Sequence, residues 1–146
     1  MISTHYRRAV KHLEESAFLV LTLVRLVLGS VFIDAGLGKL RHLPDTVQFF
    51  MDINLPSPHF SAIFASTHEV ICGIFILIGF ATRIAAIPLI IIMTVAIIAA
   101  QWTDVGSIQD LLSLHDFNYI VLSLILLMFG PGKISIDHVI SRYLNR

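Results

Sequence analysis

The chain has 146 residues, of which 56% are hydrophobic and only 14% charged, with ten Lys or Arg balancing ten Asp or Glu. A soluble domain carries nearer a quarter charged residues, so an ordinary water-soluble globule is excluded, and the zero balance gives no sign of nucleic-acid binding. The apolar residues cluster into runs of about 20, the length that crosses a bilayer, which predicts an all-α integral membrane protein in one compact domain.

Residues 1–16 mix basic and acidic side chains, with Tyr6, Val10 and Leu13 at helical spacing. They predict a short amphipathic helix lying on the membrane surface, with His5 and His12 in solvent. The first span is expected over 17–38. Arg7, Arg8 and Lys11 ahead of an apolar run suit a cleaved leader, but the run continues past Gly29 with no small-x-small site before it, which predicts a retained anchor. The loop RHLPDTVQFFMDINLPSPH carries Pro44, Pro56 and Pro58 and cannot be one helix. Val47, Phe50 and Met51 after Pro44 and Asp45 predict a short interfacial helix, followed by a proline-rich turn.

The second span is expected over 60–80 and the third over 84–102, joined by only Ala81–Arg83 and therefore antiparallel neighbours. Gly79 and Thr82 supply the turn chemistry, and Pro88 is read as lying in the first turn of its helix, where a missing amide is cheap. Trp102 marks the water interface. The loop with Asp104, Asp110 and Asp116 reads as a solvated acidic rim before a fourth span over 112–130. GPGK stops that span, and Ile134, Ile136, Val139, Ile140 and Leu144 predict a second surface-lying helix at the C-terminus. Four spans put both termini on one side, with Arg7, Arg8, Lys11, Arg83, Lys133, Arg142 and Arg146, against Lys39 and Arg41 on the other; this predicts cytoplasmic termini.

Cys72 is the only cysteine, so an intramolecular disulfide or dithiol centre is excluded, and it reads as a small buried hydrophobe. The charges inside the spans are more telling, because each costs about 2.5–3.5 kcal/mol at mid-depth and so faces a partner. At about 100° per residue, Arg25 and Lys39 share one face of the first helix with Gly29, Phe32 and Gly36. Asp34 points the other way, in line with Ser30 and Gly38, where its candidate partners are Arg41 on the same face or a residue of the fourth helix such as Asn118 or Tyr119, and none is assigned. Two polar or small stripes back to back predict a first helix packed on both sides. Glu69, flanked by Ser66 and Gly73, lies near mid-depth in the second span, and the depth count makes Arg25 its expected partner. Such a pair either fixes helix register or lines a polar site with His68 and Lys39. A His68–His115 haem site lacks support, since lone membrane histidines more often hydrogen-bond a neighbour, and no metal site is expected. Phe49, Phe50, Phe60 and Phe64 read as apolar bulk, in surroundings that suit a quinone ring. No nucleophile elbow, phosphate loop, paired-cysteine site or dinucleotide fingerprint is present.

The span from Arg25 ending in GLGKL, the F-x5-LP loop from Phe49 to Pro56, the Glu69-x3-Gly73 helix closing in LIGFATR, and the terminal GPGKISID resemble the DoxX-like membrane proteins in order and spacing. The resemblance covers nearly all of the chain from Arg25 to Asp137 and implies a four-helix membrane bundle. It implies association with redox machinery too, since the family takes its name from subunits linked to a terminal quinol oxidase and a thiosulfate:quinone oxidoreductase, and some relatives are tied to oxidative or thiol stress. Arg25, Lys39 and Glu69 match its recurring charged positions, whereas Asp34 and His68 rest on the residue argument alone. The expectation is therefore a four-helix transmembrane bundle of a bacterial-type inner membrane: an accessory redox-associated subunit holding a quinone or other lipophilic ligand near Arg25, Glu69, Lys39, His68 and Asp34, alone or as a homo-oligomer with oxidase subunits. The competing expectation is a non-enzymatic scaffold whose charges only set register. A small transporter is the weaker third, because four short spans offer a pathway only as an oligomer.

Overall fold

The computed structural model is described for residues 2–144, with side chains described for 16, 18–103 and 105–143. Among these, seven α-helices and no strand occur: α1 (Ile2–Arg41), α2 (Leu43–Asp52), α3 (Pro58–Ile78), α4 (Thr82–Ala96), α5 (Ile108–Ser113), α6 (His115–Phe129) and α7 (Ile136–Leu144). Residues Phe18–Arg41, Pro58–Ile78 and Thr82–Gln101 form three helices long and apolar enough to cross a membrane. The fourth helix of the bundle, expected over 112–130, is shorter than the other three. Ser107 and Asp110 form a reciprocal capping box that starts α5 as a separate helix, and Leu114 is extended, so α6 keeps only 15 residues. That is about 22 Å at 1.5 Å per residue, short of the roughly 30 Å of hydrocarbon.

The N-terminal segment is not a separate surface helix, because α1 runs unbroken from Ile2. The side chains of His5, His12, Tyr6, Val10 and Leu13 lie outside those described. The interfacial helix of the first loop is α2, which turns Thr46 and Val47 inward, and the C-terminal amphipathic helix is α7.

Helix α1 packs chiefly on α3 and α4 chiefly on α6, with α3 against α4 joining the two pairs and α2 resting on α3. The core is Leu28, Phe32, Cys72, Ile76, Ala85, Leu89, Met93 and Leu126. Glycine decides how closely α1 and α3 approach. A Cβ on Gly29 would meet the Gly73 carbonyl at 2.9 Å, and one on Gly36 would meet the Ser66 carbonyl and Val70 Cγ2 at 2.7 Å. Small residues at a membrane helix crossing bring the backbones into such contact. The opposite face of α1 has no such neighbour: Ser30, Asp34 and Arg41 are exposed, and a Cβ on Gly38 would meet nothing within 4 Å. The two-sided packing expected of α1 is thus not found. Tyr119 packs edge-on against Phe32, with ring centres 5.7 Å apart, rather than turning to Asp34.

The α3–α4 turn closes as a Schellman motif: Gly79 sits at φ +72°, its N–H donates to the Ile76 carbonyl, and the Phe80 N–H donates to the Phe75 carbonyl. Phe75 and Phe80 pack edge to face across it. Thr82 does not cap α4; instead the Asp137 carboxylate accepts from the Ala81 and Thr82 amides at 2.7 and 3.1 Å. An acidic group there also meets the positive end of the helix dipole. This explains the Ser-x-Asp sequence after GPGK, since Ser135 Oγ accepts the His138 amide to start α7 one residue before Asp137. Pro88 stands at the seventh position of α4, inside the helix rather than in its first turn. After Ala96 the helix widens into a π-helical turn, Ile97–Gln101, before a short 3-10 turn at Trp102–Asp104.

Candidate functional site

The structure separates the charged residues of α1 into two environments at opposite ends of its packed face. Gly29 against Gly73 and Gly36 against Ser66 set an antiparallel register in which each step along α1 is a step back along α3. Arg25 is therefore level with the end of α3. Its Nε donates to the Ile76 carbonyl (3.0 Å), Nη2 to Leu77 (3.0 Å) and Nη1 to Pro131 (2.9 Å) and Ile134. The last carbonyls of a helix lack intrahelical donors and carry the negative end of its dipole, which suits a guanidinium with five N–H groups in a fixed fork. Gly79 is required there twice over, by its φ and because a Cβ would lie 2.7 Å from Arg25 Cζ. Arg25 thus ties α1 to the α3–α4 turn and the segment before α7, and makes no contact with Glu69.

The partner of Glu69 is Lys39, with Nζ 2.5 Å from Oε1. In the shared register, Glu69 lies about 12 Å along the axis from the level of Arg25 and about 9 Å from that of Lys39. The direction of the side chains then decides the matter. Cα–Cβ bonds tilt toward a helix's own N-terminus, so Lys39 leans inward along α1 and Glu69 on the antiparallel α3 leans toward it, whereas Arg25 leans away. Glu69 is fully buried, and its Oε2 has no hydrogen-bond partner among the described residues. A buried carboxylate oxygen left without a donor is costly and points to a group that supplies one.

Both residues line a cavity of about 720 Å³ between α2, α3, α4 and the start of α6. Its walls include Phe49, Phe50, Phe60 and Phe64, which sequence reading took for apolar bulk, together with Ile91, Val95 and Ala100. Phe49, Phe60, Phe64 and Ile91 each keep about half or more of their surface exposed, so exposed apolar side chains form part of the cavity's rim. Asp116 and Gln101 line it as well and hydrogen-bond one another through Gln101 Nε2 and Asp116 Oδ2. Sequence reasoning missed both, assigning Asp116 to a solvated rim. The signal that was available is the position of Asp116 in the first turn of an apolar helix, where a carboxylate faces the helix dipole.

The other expected site residues lie apart. His68 Nδ1 donates to the Phe64 carbonyl at 2.8 Å, and its ring lies 4.0 Å from that of Phe64, so it braces one wall without lining the cavity. Asp34 is exposed on the far side of α1. Among the described residues no group of three or more His, Cys, Asp or Glu is arranged to hold a metal ion. What the cavity offers a ligand is an apolar, aromatic enclosure with a cation and a carboxylate at one end: the Lys39 ammonium has three donors and spends one on Glu69.

The family model described as DoxX matches residues 20–102. The chain is 30% identical over 131 residues to "Uncharacterized membrane protein Rv3486" of Mycobacterium tuberculosis, an alignment covering 82% of this chain and 80% of that protein. It is 30% identical over 117 residues to "Putative oxidoreductase CatD" of Bacillus subtilis, covering 79% and 82% of the two chains. It is 29% identical over 123 residues to "Inner membrane protein YphA" of Escherichia coli, covering 81% and 88%. No solved structure matches the chain.

Proposed function

The chain belongs to the DoxX family of membrane proteins, and we propose that its cavity binds a membrane-dissolved quinone or quinol, making it an accessory subunit of a membrane redox complex. The observation that carries this reading is the unpartnered, fully buried Oε2 of Glu69 beside the spare donors of Lys39, at the head of an aromatic cavity. A quinone presents a flat ring to aromatic walls and a carbonyl to an ammonium; a quinol presents a hydroxyl to a carboxylate. About 720 Å³ lies within the range of small-molecule sites, and the exposed apolar side chains at its rim suit a ligand that dissolves in lipid. The oxidoreductase name of the Bacillus relative is in keeping with this, as is the inner-membrane name of the Escherichia relative. The excess of Lys and Arg at the end of the bundle that holds the α3–α4 turn and the start of α7 supports termini on the cytoplasmic side of a bacterial-type inner membrane.

One observation favours the scaffold reading instead: the uncovered face of α1 carries Asp34 and Ser30 at membrane depth, where a partner helix would supply what lipid does not. Purification in mild detergent, followed by lipid extraction and mass spectrometry, decides between them. Stoichiometric quinone in the wild type that is lost in Glu69→Gln supports the ligand site. A quinone-free protein whose Glu69→Gln variant loses only thermal stability overturns it in favour of the scaffold.

A further inference from the structure

Resting on that reading, we infer that Gln101 and Asp116 form a second polar contact at the cavity wall, which makes the site selective for a ring bearing oxygens at both ends, a para-quinone or quinol, over lipophiles with a single polar head. The π-helical turn carries the argument. Residues 82–96 follow α-helical geometry, and only Ile97–Gln101 widen to the i→i+5 pattern. Turns of this kind are rare and occur frequently at functional sites. The wider turn advances by a smaller angle per residue than the about 100° of an α-helix, so Gln101 comes round to the cavity wall, where it reaches Asp116 on α6.

An amide and a carboxylate aimed at one another between the π-helical turn and α6 need water, protein or a ligand for their remaining hydrogen-bonding capacity. Gln101 Nε2 has two hydrogens and gives one to Asp116 Oδ2; its second, the Gln101 Oε1 and the Asp116 Oδ1 make no hydrogen bond among the described residues. The free N–H suits a quinone carbonyl, and the free oxygens suit a quinol hydroxyl. Lys39 and Glu69 offer the same two chemistries from α1 and α3. A para-substituted ring is the simplest lipophile whose oxygens lie at opposite ends and so engage both pairs at once.

Equilibrium dialysis of the full chain in detergent with 2-decyl-1,4-hydroquinone, kept reduced under argon, and with 3-decylphenol, which has the same tail and one hydroxyl, tests this. The wild type is expected to bind the quinol at least tenfold tighter than the phenol. Gln101→Leu and Asp116→Asn are expected to weaken quinol binding about tenfold and to leave phenol binding within twofold, while Glu69→Gln weakens both. Quinol bound no tighter than phenol by the wild type overturns the second contact, and this comparison stands even where a variant fails to fold. Quinol binding unchanged in a folded Gln101→Leu also overturns it, with the ligand site left standing. Absence of quinol binding to the wild type overturns the ligand site and this inference together.

Discussion

Double-mutant cycles around Glu69 discriminate between the pairing expected from sequence and the one in the structure. Lys39→Met strips from Glu69, a carboxylate with no solvent exposure, the only partner it has among the described residues. Removing one member of a buried pair costs about 3–5 kcal/mol, and because the Lys39 side chain is 36% exposed the lower end applies, about 3 kcal/mol. Replacing both Lys39 by Met and Glu69 by Leu exchanges the pair for apolar side chains and is expected to cost much less than the two single changes together, a coupling of about 2–3 kcal/mol. Arg25→Met is costly for another reason. The Ile76 carbonyl keeps the Gly79 amide, but the carbonyls of Leu77, Pro131 and Ile134 lose their donor. At about 1–3 kcal/mol for each stranded group, less the desolvation of the guanidinium that is recovered, the loss is about 3–5 kcal/mol. Since Arg25 and Glu69 share no partner, their double variant is expected to be additive within about 0.5 kcal/mol. SDS titration in mixed micelles, followed by circular dichroism, gives each corner of both cycles. Coupling above about 1 kcal/mol between Arg25 and Glu69, with additivity between Lys39 and Glu69, would refute the assignment.

Gly36→Ala is expected to destabilise the protein by about 1–3 kcal/mol, because the new Cβ must push apart the α1–α3 crossing, while Gly38→Ala is neutral or stabilising by up to about 1 kcal/mol; equal melting points for the two would contradict the contact geometry. Asp137→Ala removes the acceptor for the first amides of α4 and is expected to cost about 1–2 kcal/mol, visible as faster proteolysis of the C-terminal segment; an unchanged digestion pattern counts against the tail acting as a cap. Asp34→Asn is expected to leave stability in detergent within about 0.5 kcal/mol, since Asp34 is exposed and has no partner among the described residues; a large loss of melting temperature would reveal one.

Composition and hydropathy alone determine that this is a helical membrane protein, and helical phase alone assigns the faces of α1: Arg25, Gly29, Phe32, Gly36 and Lys39 turn inward while Ser30 and Asp34 turn outward, because a 3.6-residue repeat is a local property. The family resemblance was legible for a similar reason, in short motifs that serve a local need, such as Gly79 at a left-handed turn and Ser135 capping the start of α7. Depth was not legible. Whether Glu69 meets Arg25 or Lys39 depends on the register of two helices far apart in sequence, set by three glycines in backbone contact, and on side chains that lean toward their own N-termini. The cavity is more dependent still on tertiary structure. Its four phenylalanines come from an interfacial helix and a spanning one, and its second polar pair requires a π-helical turn that no residue pattern announces. Periodicity travels along the chain and can be read from it, but a site assembled from five helices exists only once those helices have chosen their register.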